Sequence, residues 1–172
     1  MRPEDTQKLL SDSNLPAQLQ FQSAAARMIR QALSPEKGLI GFVGSPLTLF
    51  FYAVEGSHKG SLLSAKEGLR DGRFEKFCEK LNPLLIENMV DQGSSGIDAL
   101  AIFDTCAGEI APEIYKEVVV PVLSSLFKAF KERCPDTKLT YYSKGTDESY
   151  WKHLVDLPID CLGFDWNTPL KS

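Results

Sequence analysis

Hydrophobic positions along this chain fall into two kinds of run that alternate with each other. Short, nearly continuous apolar runs, "LIGFV" (39–43), "IDALAIF" (97–103), "KLTYYS" (138–143) and "DCLGFD" (160–165), read as strands. Between them apolar residues recur at every third or fourth position, the helical period. One such stretch runs from about Ala17 to Leu33, with Leu19, Ala26, Ile29 and Leu33 on one side. A second spans about Leu62 to Gln92, is broken near "RDGR", and carries Phe74, Phe77, Leu81, Leu84 and Leu85 before stopping at Gly93. A third, "APEIYKEVVVPVLSSLFKAFKERC" (111–134), places Ile114, Val118, Val122, Leu126 and Phe130 in line. Pro121 should kink it, because proline removes a backbone donor and crowds the preceding turn. "LTLFFYAVE" (47–55) and "DESYWKHLVD" (147–156) read as shorter helices, the latter with Asp147 and Glu148 suited to its positive end.

Apolar strands separated by helices imply a parallel sheet joined by right-handed crossovers and covered on both faces. A doubly wound sheet and part of a (β/α)8 barrel both satisfy the pattern. In either, ligands bind beyond the C-terminal ends of the strands. Those ends read "VGSP", "FDTCAG", "YYSKGT" and "FDWNTP", and they hold most of the polar and unusual residues that lie near a strand.

Composition narrows the partners. A net charge of −4 with no basic run argues against duplex nucleic acid. No apolar stretch approaches the roughly 20 residues of a spanning helix, so no membrane insertion is expected. The opening "MRPEDTQKLLSDSNLP" lacks a signal peptide's apolar centre, which makes the cytoplasm the expected location. Cys78, Cys106, Cys134 and Cys161 are scattered, without metal-ligand or disulfide spacing.

The candidate chemistry is sparse when read from residues alone. No Gly-x-Gly-x-x-Gly follows a strand, and "GSHKGS" (56–61) lacks the phosphate-loop spacing, so it reads as a flexible loop. His58 and His153 have no partner at ligand spacing, and Cys106 has no matching histidine. Lys144, after a strand and beside Gly145, could face a carboxylate. Asp104 and Asp165 each close a strand as "FD", where bonding the donors of the next loop competes with catalysis. Tyr52 lies in an aromatic run and by spacing belongs to the core.

Three stretches taken together change this picture. "LIGFVGSPLTLFFYAVEG", "AIFDTCAGEIAPEIYKEVVVPVL" and "CLGFDWNTPL" resemble, in order and spacing, the uroporphyrinogen decarboxylase family. Its Gly-Phe-x-Gly-x-Pro-x-Thr is matched by Gly41 to Thr48 and its Tyr-x-x-Glu-Gly by Tyr52 to Gly56. Its Phe-Asp/Glu-Ser/Thr-x-x-Gly is matched by Phe103 to Gly108, and its Gly-Leu-Asp-Trp, with one change, by Gly163 to Trp166. "AARMIRQAL" (25–33) also resembles the family's helix before the first matched strand. The resemblance, over about Ala24 to Leu170, implies a (β/α)8 TIM-barrel type of α/β fold. Here that barrel would be incomplete, a single partial domain over 1–172 with about four β/α units.

It further implies a carboxy-lyase that takes carbon dioxide from the acetate arms of uroporphyrinogen to give coproporphyrinogen in haem biosynthesis. No metal or organic cofactor is implied, because a pyrrole protonated at carbon is its own electron sink. Residue by residue, Tyr52 matches a substrate-binding tyrosine and Thr105 a Ser/Thr whose hydroxyl bonds substrate. Phe103 matches an aromatic lining the pocket, and Asp104 holds the acidic position beside it. The family's Arg-rich carboxylate-binding segment, its aspartate facing the pyrrole N–H groups and its C-terminal histidine have no counterpart in this chain. A homodimer, or association through open barrel edges, is the expected assembly. Two alternatives remain. One is a non-catalytic half-barrel binding a tetrapyrrole or a partner. The other is a cobamide-dependent methyltransferase, whose zinc-binding His-x-Cys is replaced here by Ser143, Lys144 and Gly145.

Overall fold

The computed structural model describes residues 15–56 and 60–168. His58 and the centre of "GSHKGS" lie outside the described residues, as do the first fourteen positions and Leu170.

The first helix, α1 (Leu15–Ala32), leads into strand β1 (Ile40–Gly44). Helix α2 (Pro46–Glu55) follows at once, because the sequence supplies both of its stops. Ser45, in extended conformation, accepts a hydrogen bond from the Thr48 N–H at 3.1 Å, and Pro46 occupies the first turn, where its missing donor costs nothing. Gly56 ends the helix at φ 71°, a left-handed conformation in which its N–H reaches the Tyr52 carbonyl.

The break expected near "RDGR" separates α3 (Leu63–Gly68) from α4 (Arg73–Gly93). Gly72 turns the chain at φ 84°, and Asp71 accepts from both the backbone N–H and the Nε of Arg73. Strand β2 (Ala99–Asp104) is followed by a 3-10 turn (Ala107–Glu109) and a helical turn (Pro112–Ile114). A π-helical segment, Tyr115–Val119, then leads into α5 (Val120–Arg133). The irregularity expected from Pro121 thus takes the form of a widened turn just before it. The Val120 N–H bonds the Tyr115 carbonyl five residues back, and the chain then resumes an α-helix around a residue that cannot donate. Strand β3 (Lys138–Ser143), the short helix α6 (Glu148–Trp151) capped by Asp147, and strand β4 (Cys161–Gly163) complete the described elements.

The strands form one sheet in the order β1-β2-β3-β4, all parallel, with Ile40 opposite Ala99, Ala99 opposite Lys138, and Thr140 opposite Cys161. Burial alternates along β1 and β3, and in β2 it is interrupted where Leu100, Ala101 and Ile102 are all buried. Val43, Leu100, Ile102, Leu139 and Tyr141 are buried against the helices with Phe74, Met89, Leu126, Phe127 and Phe130. Ile40, Phe42 and Phe103 project from the opposite face and remain exposed. The expectation of a sheet covered on both faces is therefore corrected. Among the described residues the helices lie on one side only, which matches the wall of a partial barrel, whose uncovered face is the barrel interior, rather than a doubly wound sheet.

Candidate active-site rim

The C-terminal ends of the strands are tied into one rim by bonds between neighbouring loops. From β1 to β2, the Ser45 N–H reaches the Phe103 carbonyl at 2.9 Å, and the Thr48 hydroxyl donates to Asp104 Oδ1 at 2.9 Å while accepting from the Cys106 N–H at 3.3 Å. From β2 to β3, the Lys144 N–H bonds the Asp104 carbonyl and the Gly108 N–H bonds the Lys144 carbonyl, at 3.1 and 3.0 Å. From β3 to β4, the Gly145 N–H reaches Asp165 Oδ2 at 2.8 Å. Gly108 is obligatory at this crossing, since a Cβ there would lie 2.3 Å from the Gly145 carbonyl oxygen. The stretches "GSPLT", "FDTCAG", "SKG" and "FDW" are thus physically interlocked.

Beneath the rim lies a polar chain. Asp104 is completely buried and accepts from Thr48 on one carboxylate oxygen and from the Tyr141 hydroxyl, at 2.7 Å, on the other. Tyr141 in turn lies 2.9 Å, hydroxyl to hydroxyl, from Tyr115. Because Asp104 as a carboxylate only accepts, the chain has one direction: Tyr115 donates to Tyr141, and Tyr141 to Asp104. Burial pushes the Asp104 carboxyl above the usual carboxylate range, against hydrogen bonds from Tyr141, Thr48 and Ser45 that draw it down. Burial likewise holds both phenols far above their ordinary range. Ser143 and Thr146 share a 2.7 Å hydroxyl contact, and the Trp151 indole N–H donates to Thr146, which pins the loop carrying Lys144.

Each residue singled out in the sequence has a definite place on this frame. Phe103 stands on the open face, its ring edge-on to Phe42 at 6.0 Å and to Tyr142 at 5.8 Å. Thr105, the residue after β2, is half-buried at the rim. Tyr52 lies on α2 and is 39% exposed, so the core position expected from spacing is corrected. Asp104 is turned the other way from Phe103, and its carboxylate meets protein hydroxyls rather than the open face. Through these bonds Asp104 supports the loop that carries Thr105. Asp165 has the same kind of duty, accepting from the Gly145 and Asn167 N–H groups. Cys106 is buried, its thiol pushed up chiefly by burial.

The sequence reading missed Tyr115, Tyr141, Ser45 and Thr48 as parts of the site. The two tyrosines look like helix and strand core, and only their pairing across 26 residues reveals the chain to Asp104. The Ser-Pro-x-Thr spacing did carry a signal, since it is an N-cap pattern whose serine and threonine face a strand end.

The model of the uroporphyrinogen decarboxylase (URO-D) family matches residues 1–172. The chain is 30% identical over 148 residues to the uroporphyrinogen decarboxylase of Rickettsia africae, covering 85% of this chain and 43% of that protein. It is 31% identical over 176 residues to that of Legionella pneumophila strain Lens, covering 98% and 49%. With that of Helicobacter pylori strain G27 it shares 34% identity over 157 residues, covering 90% and 46%. The chain therefore spans about half the length of the curated relatives it matches. With its parallel strands, one-sided helical cover and interlocked strand ends, it belongs to the uroporphyrinogen decarboxylase family.

Proposed function

We infer that this chain serves in the decarboxylation of uroporphyrinogen to coproporphyrinogen, in the cytoplasm, as part of a homodimeric enzyme without metal or organic cofactor. The observation that carries this reading is the rim. It sets Phe103 on an open apolar face, with Thr105 beside it at the end of the same strand. Tyr52, on the helix leaving the neighbouring strand end, is partly exposed. An apolar wall edged by hydroxyls suits a flat ring system whose arms end in carboxylates.

The chemistry needs little more from the protein than binding and charge placement. A proton added to a pyrrole carbon makes the ring the acceptor for the bond to the acetate carboxyl. As that bond breaks, carbon dioxide leaves and its electron pair neutralises the ring. The exocyclic carbon then takes a proton to become methyl, and the ring carbon returns its own. In this scheme the Tyr52 and Thr105 hydroxyls hold a carboxylate arm, and Phe103 supports the ring. Asp104 holds the Thr105 loop through its buried bonds. The Arg-rich segment and the aspartate facing the ring nitrogens, which the family resemblance assigns to charge handling, would be contributed from outside the described half of the barrel.

The test is formation of coproporphyrinogen from uroporphyrinogen by the protein isolated at its native mass, followed by chromatography of the oxidised porphyrins. Tyr52→Phe and Thr105→Ala should each lower kcat/KM about tenfold, the loss of one hydrogen bond worth ~1.4 kcal/mol, with circular dichroism unchanged. Unchanged turnover and affinity in both variants would refute the assignment.

A further inference from the structure

Alternation along the two central strands sorts the rim residues by face. On β2, Asp104 is buried among protein hydroxyls, and Phe103 stands on the opposite face. On β3, Tyr141 and Ser143 are buried, Tyr141 bonded to Asp104 and Ser143 to Thr146. Tyr142 therefore shares the face of Phe103, directly opposite it in register, with the two rings edge-on at 5.8 Å. Gly163, opposite Tyr142 on β4, keeps that ring's place clear, since a Cβ there would lie 3.2 Å from it. Each of these two strands has a paired strand on either side, so their faces are fixed inside the described sheet, away from its edges.

The pairing continues one step past β3. The Lys144 N–H bonds the Asp104 carbonyl at 3.1 Å, and the Lys144 carbonyl accepts from the Gly108 N–H at 3.0 Å, so this peptide is held on both sides. Asp104 lies opposite Ser143, which brings Thr105 and Lys144 side by side at the next step. The alternation that buries Ser143 places Lys144 on the face of Tyr142 and Phe103. Lys144 is also the only cation in the four strand-end segments "VGSP", "FDTCAG", "YYSKGT" and "FDWNTP". The acids of these and the adjoining turn are engaged elsewhere. Asp104 is bonded by Thr48 and Tyr141, Glu109 pairs with Lys66 at 3.8 Å, and Asp165 accepts from the Gly145 and Asn167 N–H groups. An ammonium is thus carried on a fixed peptide, beside a hydroxyl and one step beyond an aromatic pair.

We propose that Lys144 binds a carboxylate arm of the tetrapyrrole next to Thr105, while Phe103 and Tyr142 together support the ring. The inference rests on the proposed function and assigns to this half of the barrel a cation of its own. The arm that Lys144 holds is one that is not reacting. An ammonium on the reacting carboxylate would favour the charged ground state over the transition state, in which that charge passes into the ring and carbon dioxide leaves neutral. On a waiting arm it meets the same charge in both states, so it strengthens binding and leaves the chemical step alone.

The test uses the protein isolated at its native mass. Lys144→Met keeps most of the side-chain stem and removes its charge. It should raise KM for uroporphyrinogen, and Kd for uroporphyrin I read by quenching of tryptophan fluorescence, each about five- to tenfold. Its kcat should stay within about twofold of wild type, with circular dichroism and urea stability unchanged. Lys144→Arg keeps the charge and should fall closer to wild type in both KM and Kd. Unchanged KM and Kd in Lys144→Met, a loss confined to kcat or to stability, or an equal loss in Lys144→Arg would overturn the inference, and normal wild-type turnover would leave the functional reading standing. Wild-type protein that binds uroporphyrin I, weakens as expected in Lys144→Met, and forms no coproporphyrinogen refutes the functional reading alone. Wild-type protein that binds no uroporphyrin I refutes both.

Discussion

Removing the Tyr141 hydroxyl tests the buried chain under the rim more sharply than removing its acid. In Tyr141→Phe, Asp104 loses a donor to a carboxylate shielded from water, worth about 1.5–3 kcal/mol, and the buried Tyr115 hydroxyl loses the acceptor that Tyr141 provides, costing about 1–3 kcal/mol. Crediting part of this to relaxation, the variant should lose about 3 kcal/mol. Tyr115→Phe removes only the terminal donor of the chain and should lose about 1 kcal/mol. The double variant no longer carries a stranded Tyr115 hydroxyl, so it should be no less stable than Tyr141→Phe alone, against about 4 kcal/mol for simple additivity. Equilibrium unfolding of the purified chain in urea, followed by circular dichroism, measures all of them. The pH dependence has a definite sign. Asp104, raised in the fold above the ordinary 3.8, contributes stability that is present below that value and is lost as pH rises through its folded pKa. Loss of the Tyr141 donor raises that folded pKa further, so the deficit of Tyr141→Phe should grow from acid toward neutral pH. Additive losses in the double variant, or a deficit that shrinks with rising pH, would refute the assigned direction of the chain.

Two further outcomes follow from the same frame. Gly108→Ala should destabilise the chain by about 1–3 kcal/mol by pushing the loop at Lys144 and Gly145 off its Gly108 bond, and hydrogen exchange should then show faster exchange at Gly108 and Lys144 while β3 remains protected. Asp160, held down to about 2 by Lys131, by the Leu139 N–H and by Lys138, contributes stability that is present above the ordinary 3.8 and lost as pH falls through about 2. Asp160→Asn should therefore cost about 1–2 kcal/mol at neutral pH, and the gap in urea stability should close between about pH 4 and pH 2.

Much of this fold was legible because its strands and helices carry different apolar periods. "KLTYYS" matches β3 residue for residue, and the break at "RDGR" falls where Asp71 and Gly72 turn the chain. The covering of the sheet was misread for a physical reason: Phe42 and Phe103 are apolar although they face no helix, because a barrel interior wants apolar residues too. Period alone cannot separate the two kinds of burial. Tyr52 was misplaced for the opposite reason, an aromatic among aromatics whose partial exposure depends on how α2 lies across the sheet. Asp104 was assigned to the right strand end, but which way its carboxylate points depends on Thr48 and Tyr141, 56 and 37 residues away.

The strand registers also set the order in which the sheet can assemble. Thr140 finds Cys161 across 21 residues and Ala99 finds Lys138 across 39, whereas Ile40 must wait for Ala99, 59 residues on. Closing the longest of these loops costs about 1 kcal/mol more chain entropy than closing the shortest. Strand β1 is therefore the most expensive of the four described strands to pair with its neighbour. Gln92 on α4, only 50 residues after Phe42, is made before any of β2 and already bonds the Phe42 N–H. The Gln92 side chain is thus placed to hold β1 before β2 has been made.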